Sequence, residues 1–359
     1  MNKQKAQYML SLLISILLAL VLGGVLMACI GFNPLEGYGA LLNGALGNKR
    51  AIANTLYKSG QLCMTGLATA VAAQAGIFNV GGEGQLYLGA FASAYLGAVL
   101  TGVSPIIAVP LCMLGAIVAG GIYAWIPAVL KVKLKVNEVI TTIMLNSAAI
   151  YFCSYLANGP LKTTEKGVNA GTAAIDKNFL FTKLVPASKL TESIFYIAII
   201  TFLVWYVMSK SSVGFEMKLT GQNERFAKYS GIKSGKLAIW SMVASGAICG
   251  LVGMFETFGL QKRFVETISN EFYFDGMLVA MIMHYKPVGI ILMSLFFGVL
   301  KIGATAMESK VGISSELILI VQSIIIFFMA AEEGILASIQ ARRARKEAAL
   351  RLTKGAEAE

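Results

Sequence analysis

The stretch YMLSLLISILLALVLGGVLMACI, residues 8–30, carries no charge and is apolar at nearly every position. Such a run exceeds the ~20 residues that an α-helix needs to cross a hydrocarbon core. Lys3 and Lys5 precede it, and the uncharged chain runs from Ala6 to Leu35 before Glu36 appears. A secretory signal would be shorter, and a polar mature chain would follow its small-residue cleavage site. Here apolar segments continue almost to the C-terminus, so residues 8–30 read as a retained first span. Composition agrees: 57% of residues are hydrophobic and 14% are charged, and mean hydropathy is +0.71. These values lie outside the range of soluble domains.

Working outward, further apolar runs fall at 57–76, 85–101, 105–130, 137–157, 192–209, 237–258, 271–284, 287–306 and 314–331. The expected fold is all-α, a polytopic transmembrane helical bundle of about ten segments with broken or re-entrant helices. The run 271–284 is short for a span and carries Asp275 and His284. The transmembrane body would occupy residues 1–335 and a charged tail residues 336–359. An even number of spans puts both termini on one side. Lysine and arginine then decide which side, because short cytoplasmic loops are enriched in them. Lys131, Lys133 and Lys135, the loop 210–236 and the tail all fall with the N-terminus under this count, so both termini read as cytoplasmic. The connection 159–191 also carries five lysines but is placed outside; Glu165 and Asp176 accompany them.

The net charge of +11 does not indicate nucleic acid, because the basic residues are spread over short loops and the tail rather than gathered on one soluble face. Cys29, Cys63, Cys112, Cys153 and Cys249 stand singly in apolar segments and read as small hydrophobes. The nearest approach to a phosphate-binding loop, GIKSGKL at 231–237, is one residue short between its glycines and has Leu237 in place of the hydroxyl residue. With His284 the sole histidine, no Ser-His-Asp set and no multi-histidine metal site can be assembled. The chain is therefore expected to have no catalytic residues, no metal and no cofactor of its own. It remains open to an ion-driven carrier, a channel or the membrane half of a system powered elsewhere.

Two stretches interrupt the apolar pattern in a similar way. In AGIFNVGGEGQLYLGA (75–90), Asn79, Glu83 and Gln85 stand among three glycines; in NEFYFDGMLVAMIMHYKPVGI (270–290), Phe272, Asp275 and Gly276 do something comparable. Interrupted segments in corresponding halves point to a transport pathway. A lone glutamate facing lipid would be unfavourable by a few kcal/mol, roughly. Gly81, Gly82 and Gly84 are expected to let the backbone leave helical geometry there. Glu83 then either caps the amides at a helix start and locks two spans together, lines the pathway, or meets a partner. Asn146 either bonds a neighbouring helix or faces the pathway. Glu256, near an outer helix end, reads as interfacial. Asn79, Glu83, Gln85, Asn146, Phe272 and Asp275 are the pathway candidates.

The loop KSSVGFEMKLTGQNERFAKYSGIKSGK (210–236) is long and needs a reason. Asn223 is a good N-cap, Glu224 suits the positive helix end, and Gly231 can close the turn. That predicts a two-turn helix over 224–230 with Phe226 and Tyr229 on one face. So short a helix is marginal in water alone and docks either on a partner or on its own protein.

Here the residues resemble a known family. The pattern Gly221, Asn223, Ala227, Gly231, Ile232 resembles the cytoplasmic coupling loop of ABC importer permeases of the branched-chain amino acid, ribose and nucleoside type. Phe226 stands where that motif usually has a second alanine. GIFNVGGEGQLYLGA, VNEVITTIMLN (136–146), NGPLK (158–162) and YFDGMLVAMIMHYKPVGIILMSLFFG (273–298) extend the match in order along the chain. The resemblance is strongest to the nucleoside permeases, which are similar to simple-sugar importers. It implies a bacterial plasma-membrane subunit that moves nucleosides with energy from a separate ATPase. That ATPase, not this chain, would use ATP and magnesium. A second permease, identical or homologous, a substrate-binding lipoprotein and membrane lipid are the implied partners. Gly221, Asn223, Glu224, Phe226, Ala227 and Gly231 would couple to the ATPase. The alternatives are a permease for a simple sugar such as ribose or for branched-chain amino acids, or an ion-driven secondary transporter.

Overall fold

The structure is a computed structural model that describes residues 2–163, 171–269, 271–314, 316–324 and 327. The tail 336–359 and the end of the run 314–331 lie outside the described residues. Among the described residues the chain is helical, with no strand beyond a single bridge between Lys183 and Thr191.

The chain divides into two compact units, one of residues 1–41 with 304–359 and the other of residues 42–303. In the first, α1 (Asn2–Cys29) is followed by α2 (Pro34–Leu46). Asn33 opens α2 by accepting from the Leu35 amide, and the Tyr38 hydroxyl donates to the Leu20 carbonyl of α1 at 2.5 Å. Sequence periodicity did not separate α2 from α1, because thirteen residues in apolar surroundings carry too little contrast to register as an element.

The second unit holds α3 (Lys49–Gln74), α4 (Gly82–Val99), α5 (Pro105–Leu134), α6 (Glu138–Asn158), α7 (Ser193–Lys210), α8 (Ser212–Gln222), α9 (Glu224–Tyr229), α10 (Ser234–Glu256), α11 (Phe272–Ile282) and most of α12 (Pro287–Val311). A π-helical turn, Thr257–Gln261, extends α10. Among the described residues five helices are long and apolar enough to cross a membrane: α5, α6, α7, α10 with its π-helical turn, and α12. The protein is a multi-pass membrane protein of helical architecture.

Polarity is arranged from inside to outside. In α7 only 17% of the apolar window is buried, against 61% in α10. The outward faces of α5, α6 and α7 present Ile122, Trp125, Tyr151, Phe195 and Phe202, as lipid-facing helices do. By contrast α3 buries Thr55, Ser59, Gln61, Thr65 and Thr69. Protein surrounds it, so its polar groups find partners that lipid could not supply. The core is α10 laid between α4 and α5 at backbone contact. A methyl group on Gly250 would stand 2.2 Å from the Ala116 carbonyl oxygen, so only glycine fits. Close approach through small residues is how membrane helices associate when water exclusion gives no advantage.

Candidate functional site

Gln74 ends α3, and the chain then turns sharply through residues 75–81 before α4 begins. Beyond the exposed Gly76 this turn goes inside: Ile77, Asn79 and Val80 are each below a tenth exposed. A buried turn must satisfy its polar groups internally, and this one does so through four elements. Asn79 Nδ2 donates to Gln85 Oε1 at 2.8 Å and to Ser245 Oγ of α10 at 2.9 Å. Asn79 Oδ1 accepts from the Gly81 amide at 2.9 Å. From α6, Asn146 Nδ2 donates to the Val80 carbonyl at 2.8 Å, and its Oδ1 accepts from the Gly84 amide at 2.7 Å. Asn79 and Gln85 are thus bonded to each other, and Asn146 holds the backbone of Val80 and Gly84 between them.

The glycines act differently from the expectation. Gly82 and Gly84 lie inside the first turn of α4, in regular helix. Gly82 is required by contact, since a methyl group there would lie 2.0 Å from the Tyr273 ring. The residue that does need left-handed backbone is Gly76, at φ +77°.

Glu83 sits 5% exposed, and its Oε2 accepts from the Tyr273 amide at 3.1 Å. Tyr273 lies in the first turn of α11, so the carboxylate of one helix caps the N-terminus of another. That placement favours negative charge through both the free amides and the helix dipole. The Tyr273 hydroxyl also donates to the Asn79 carbonyl. The two interrupted stretches of the sequence therefore meet at Tyr273.

Two residues along α11, Asp275 enters a cluster of charges. Its Oδ2 lies 2.9 Å from Lys301 Nζ of α12 and 4.0 Å from Lys58 Nζ of α3. The Lys58 ammonium also stands 3.9 Å from the centroid of the Phe272 ring, a cation–π contact. On the same helix, Tyr57 donates its hydroxyl to Glu256 at 2.5 and 2.7 Å, and Gln61 Nε2 donates to Glu256 at 3.3 Å. Glu256 is 3% exposed, which corrects its reading as interfacial. Its partners lie some two hundred residues away in sequence, so local pattern could not reveal them.

Sequence reasoning missed four residues here: Lys58 and Lys301, which meet Phe272 or Asp275, and Tyr57 and Gln61, which hold Glu256 beside Lys58 on α3. Lys301 had a usable signal, a lone charge inside an apolar run. Lys58 lay at the start of a run and was indistinguishable from a loop residue.

The loop 210–236 contains two helices rather than one. Ser211 caps α8, its hydroxyl accepting from the Gly214 amide at 3.1 Å. Asn223 caps α9, its Oδ1 accepting from the Phe226 amide at 2.9 Å, so the expected helix at 224–230 forms as Glu224–Tyr229. Lys228 pairs with Glu224 at 2.7 Å, and this contact holds the Glu224 carboxyl below its ordinary value. Ala227 is fully buried, whereas Phe226 is 55% and Tyr229 92% exposed. Gly231 closes the helix at φ +84°. Gly221, in the last turn of α8, packs on the end of α3: a methyl group there would lie 2.4 Å from the Gln74 carbonyl oxygen. Among the described residues no group of histidine, cysteine or carboxylate side chains could hold a metal ion.

Residues 51–330 match the family model described as the permease component of the branched-chain amino acid transport system. The chain belongs to this family of transport permeases. The permease is also 33% identical over 335 residues to the guanosine ABC transporter permease protein NupP of Bacillus subtilis, covering 92% of this chain and 96% of that one. It is 32% identical over 335 residues to the nucleoside ABC transporter permease protein NupB of Lactococcus lactis, covering 91% and 92%. The glucose ABC transporter permease protein TsgB13 of Haloferax volcanii is 31% identical over 336 residues, covering 89% and 86%. No solved structure gives a significant match.

Proposed function

We propose that the permease translocates nucleosides as the membrane subunit of an ATP-driven importer, with a separate ATPase, a substrate-binding lipoprotein and a second permease. The observation that carries this reading is the near full-length similarity to the guanosine and nucleoside permeases. The glucose permease, almost as similar, favours a simple sugar as the second reading. Either solute is neutral and rich in hydrogen-bonding groups.

The cluster of Lys58, Lys301, Asp275 and Glu256 balances two positive charges with two negative ones, which suits such a solute. We assign Phe272 and Asp275 to the pathway with Lys58 and Gln61. Asn79, Gln85, Glu83 and Asn146 act by holding the turn and α11 in place, since their polar atoms already bond the protein. At the opposite end of α3, the exposed Phe226 and Tyr229 on a helix anchored by Ala227 form the surface offered to the ATPase, with Gly221, Asn223, Glu224 and Gly231 setting its geometry. The basic residues of 131–135 and 210–236 support a cytoplasmic position for that surface, and the positive charge of the N-terminus and tail supports the same side for both termini.

The test is uptake of radiolabelled guanosine, uridine, ribose, glucose and leucine in cells with and without the gene, repeated after ATP depletion with the proton gradient kept. Deletion is expected to remove ATP-dependent nucleoside uptake. Loss of glucose or ribose uptake alone would establish the sugar reading instead. Nucleoside uptake that survives ATP depletion and follows the proton gradient would overturn the mechanism.

A further inference from the structure

Two distant places in the permease are joined by a line of close contacts that starts at the surface and runs into the buried turn. At one end is Gly221, whose Cα lies against the backbone of Gln74 and Gly76 so closely that no side chain fits between them. At the other is α11, which carries Phe272 and Asp275 to the charge cluster. Along α3 the interval from Gln74 to Lys58 is sixteen residues, or ~24 Å at 1.5 Å per residue.

Between them runs the turn 75–81. Asn79, Gln85, Ser245 and Asn146 brace it on three sides with hydrogen bonds of 2.7–2.9 Å. So many short buried bonds make the turn a block that shifts as a whole rather than bends. One residue ties that block to α11 by three separate contacts. The Tyr273 hydroxyl donates to the Asn79 carbonyl. The Tyr273 amide donates to Glu83 at 3.1 Å. The Tyr273 ring fills the space where Gly82 lacks a side chain. Tyr273 is completely buried and flanked in sequence by Phe272, whose ring meets Lys58.

We propose that Tyr273 is the positioning residue through which displacement of the 221–229 segment reaches α11 and the pathway, by way of the turn 75–81. This inference rests on the reading of α9 as the ATPase-facing helix. The physical requirement for coupling over such a distance is a contiguous set of packed groups that move together. The turn supplies the block, Gly221 pushes on it, and Tyr273 is the link at its far end. The hydroxyl matters in this arrangement because it reaches the carbonyl side of the turn, where it bonds Asn79 and also meets the Thr69 hydroxyl of α3. Glu83 and Gly82 hold Tyr273 from the α4 side.

The decisive measurement is made on the complete transporter, with its ATPase, second permease and receptor, in proteoliposomes. ATP hydrolysis and uptake are read in the same vesicles. Tyr273→Phe keeps the ring against Gly82 and removes only the hydroxyl. It is expected to leave hydrolysis within twofold while the ATP consumed per solute imported rises at least fivefold. Gly76→Ala, which puts a methyl group 3.2 Å from Gly221 Cα at a positive φ, is expected to shift the ratio the same way. Tyr38→Phe, removing a comparable hydroxyl bond between α1 and α2, is expected to leave the ratio unchanged. A ratio unaltered by Tyr273→Phe, or uptake and hydrolysis falling together, would overturn the proposal. Asn223→Ala separates the two layers. If it alters receptor-stimulated hydrolysis and Tyr273→Phe leaves the ratio alone, the route fails and the coupling surface stands. If Asn223→Ala alters nothing, the coupling surface fails and the route with it.

Discussion

Gly221→Trp is expected to reduce uptake by at least a hundredfold while the permease still reaches the membrane in normal amount. The contacts explain both halves of that outcome. A methyl group at position 221 would already stand 2.4 Å from the Gln74 carbonyl oxygen and 3.2 Å from the Gly76 amide nitrogen. Both are backbone atoms at the junction of α3 and the turn and cannot rotate away, so an indole must push α8 and α9 outward. The lipid-facing helices lie elsewhere and keep their apolar surfaces, so insertion is spared. Asn223→Ala is the gentler version. It deletes the cap on the Phe226 amide, a change that typically weakens a helix by ~1 kcal/mol. In a helix of six residues, marginal without docking, that is enough to lower the population able to present Phe226 and Tyr229. A tenfold loss of uptake is expected. Uptake of either variant within twofold of the unsubstituted protein, at equal abundance by immunoblot of isolated membranes, would remove the coupling assignment.

What the sequence made legible follows from where each element gets its stability. Helices α5, α6 and α7 are held by lipid, so their boundaries are written in composition alone; the expected run 137–157 became Glu138–Asn158. Helix α9 was legible for another reason, because a side-chain cap at Asn223 and a glycine at 231 are local signals. Helix α3 was legible only in part. It starts at Lys49, eight residues before the apolar run, because Lys49, Arg50 and Lys58 mask a helix whose surroundings are protein. Helix α8 was read as loop, since its mixed polarity fits neither lipid nor a clear amphipathic face. The site divides along the same line. Glu83 was recognised as anomalous, and capping was among its readings, but its partner is the amide of residue 273. Pairings of that range leave no periodic trace. Tyr273 itself, aromatic in an apolar helix, looked like any core residue.

Asp275→Asn is the second variant with a large expected effect, and it separates pathway from fold. The Asp275 carboxylate is 12% exposed and stands between Lys301 at 2.9 Å and Lys58 at 4.0 Å. Neutralising it leaves two ammonium groups facing each other away from bulk water. Removing one partner of a buried ion pair typically destabilises by ~3–5 kcal/mol, whereas removing the pair together is often near neutral. Asp275→Asn should therefore lower both thermal stability in detergent and uptake, the latter by more than tenfold. The double variant Asp275→Asn with Lys301→Met deletes the closer pair and leaves Lys58 its contact with the Phe272 ring. It is expected to recover most of the lost thermal stability, because the uncompensated charge is gone. Uptake should not recover if Asp275 meets the solute, since an apolar methionine cannot replace a polar wall. Recovery of stability and uptake together would make the cluster a structural brace and move the pathway away from α11. The same pair of measurements thus asks of Asp275 whether pairing its two lysines is its purpose or only what lets it sit in a buried site.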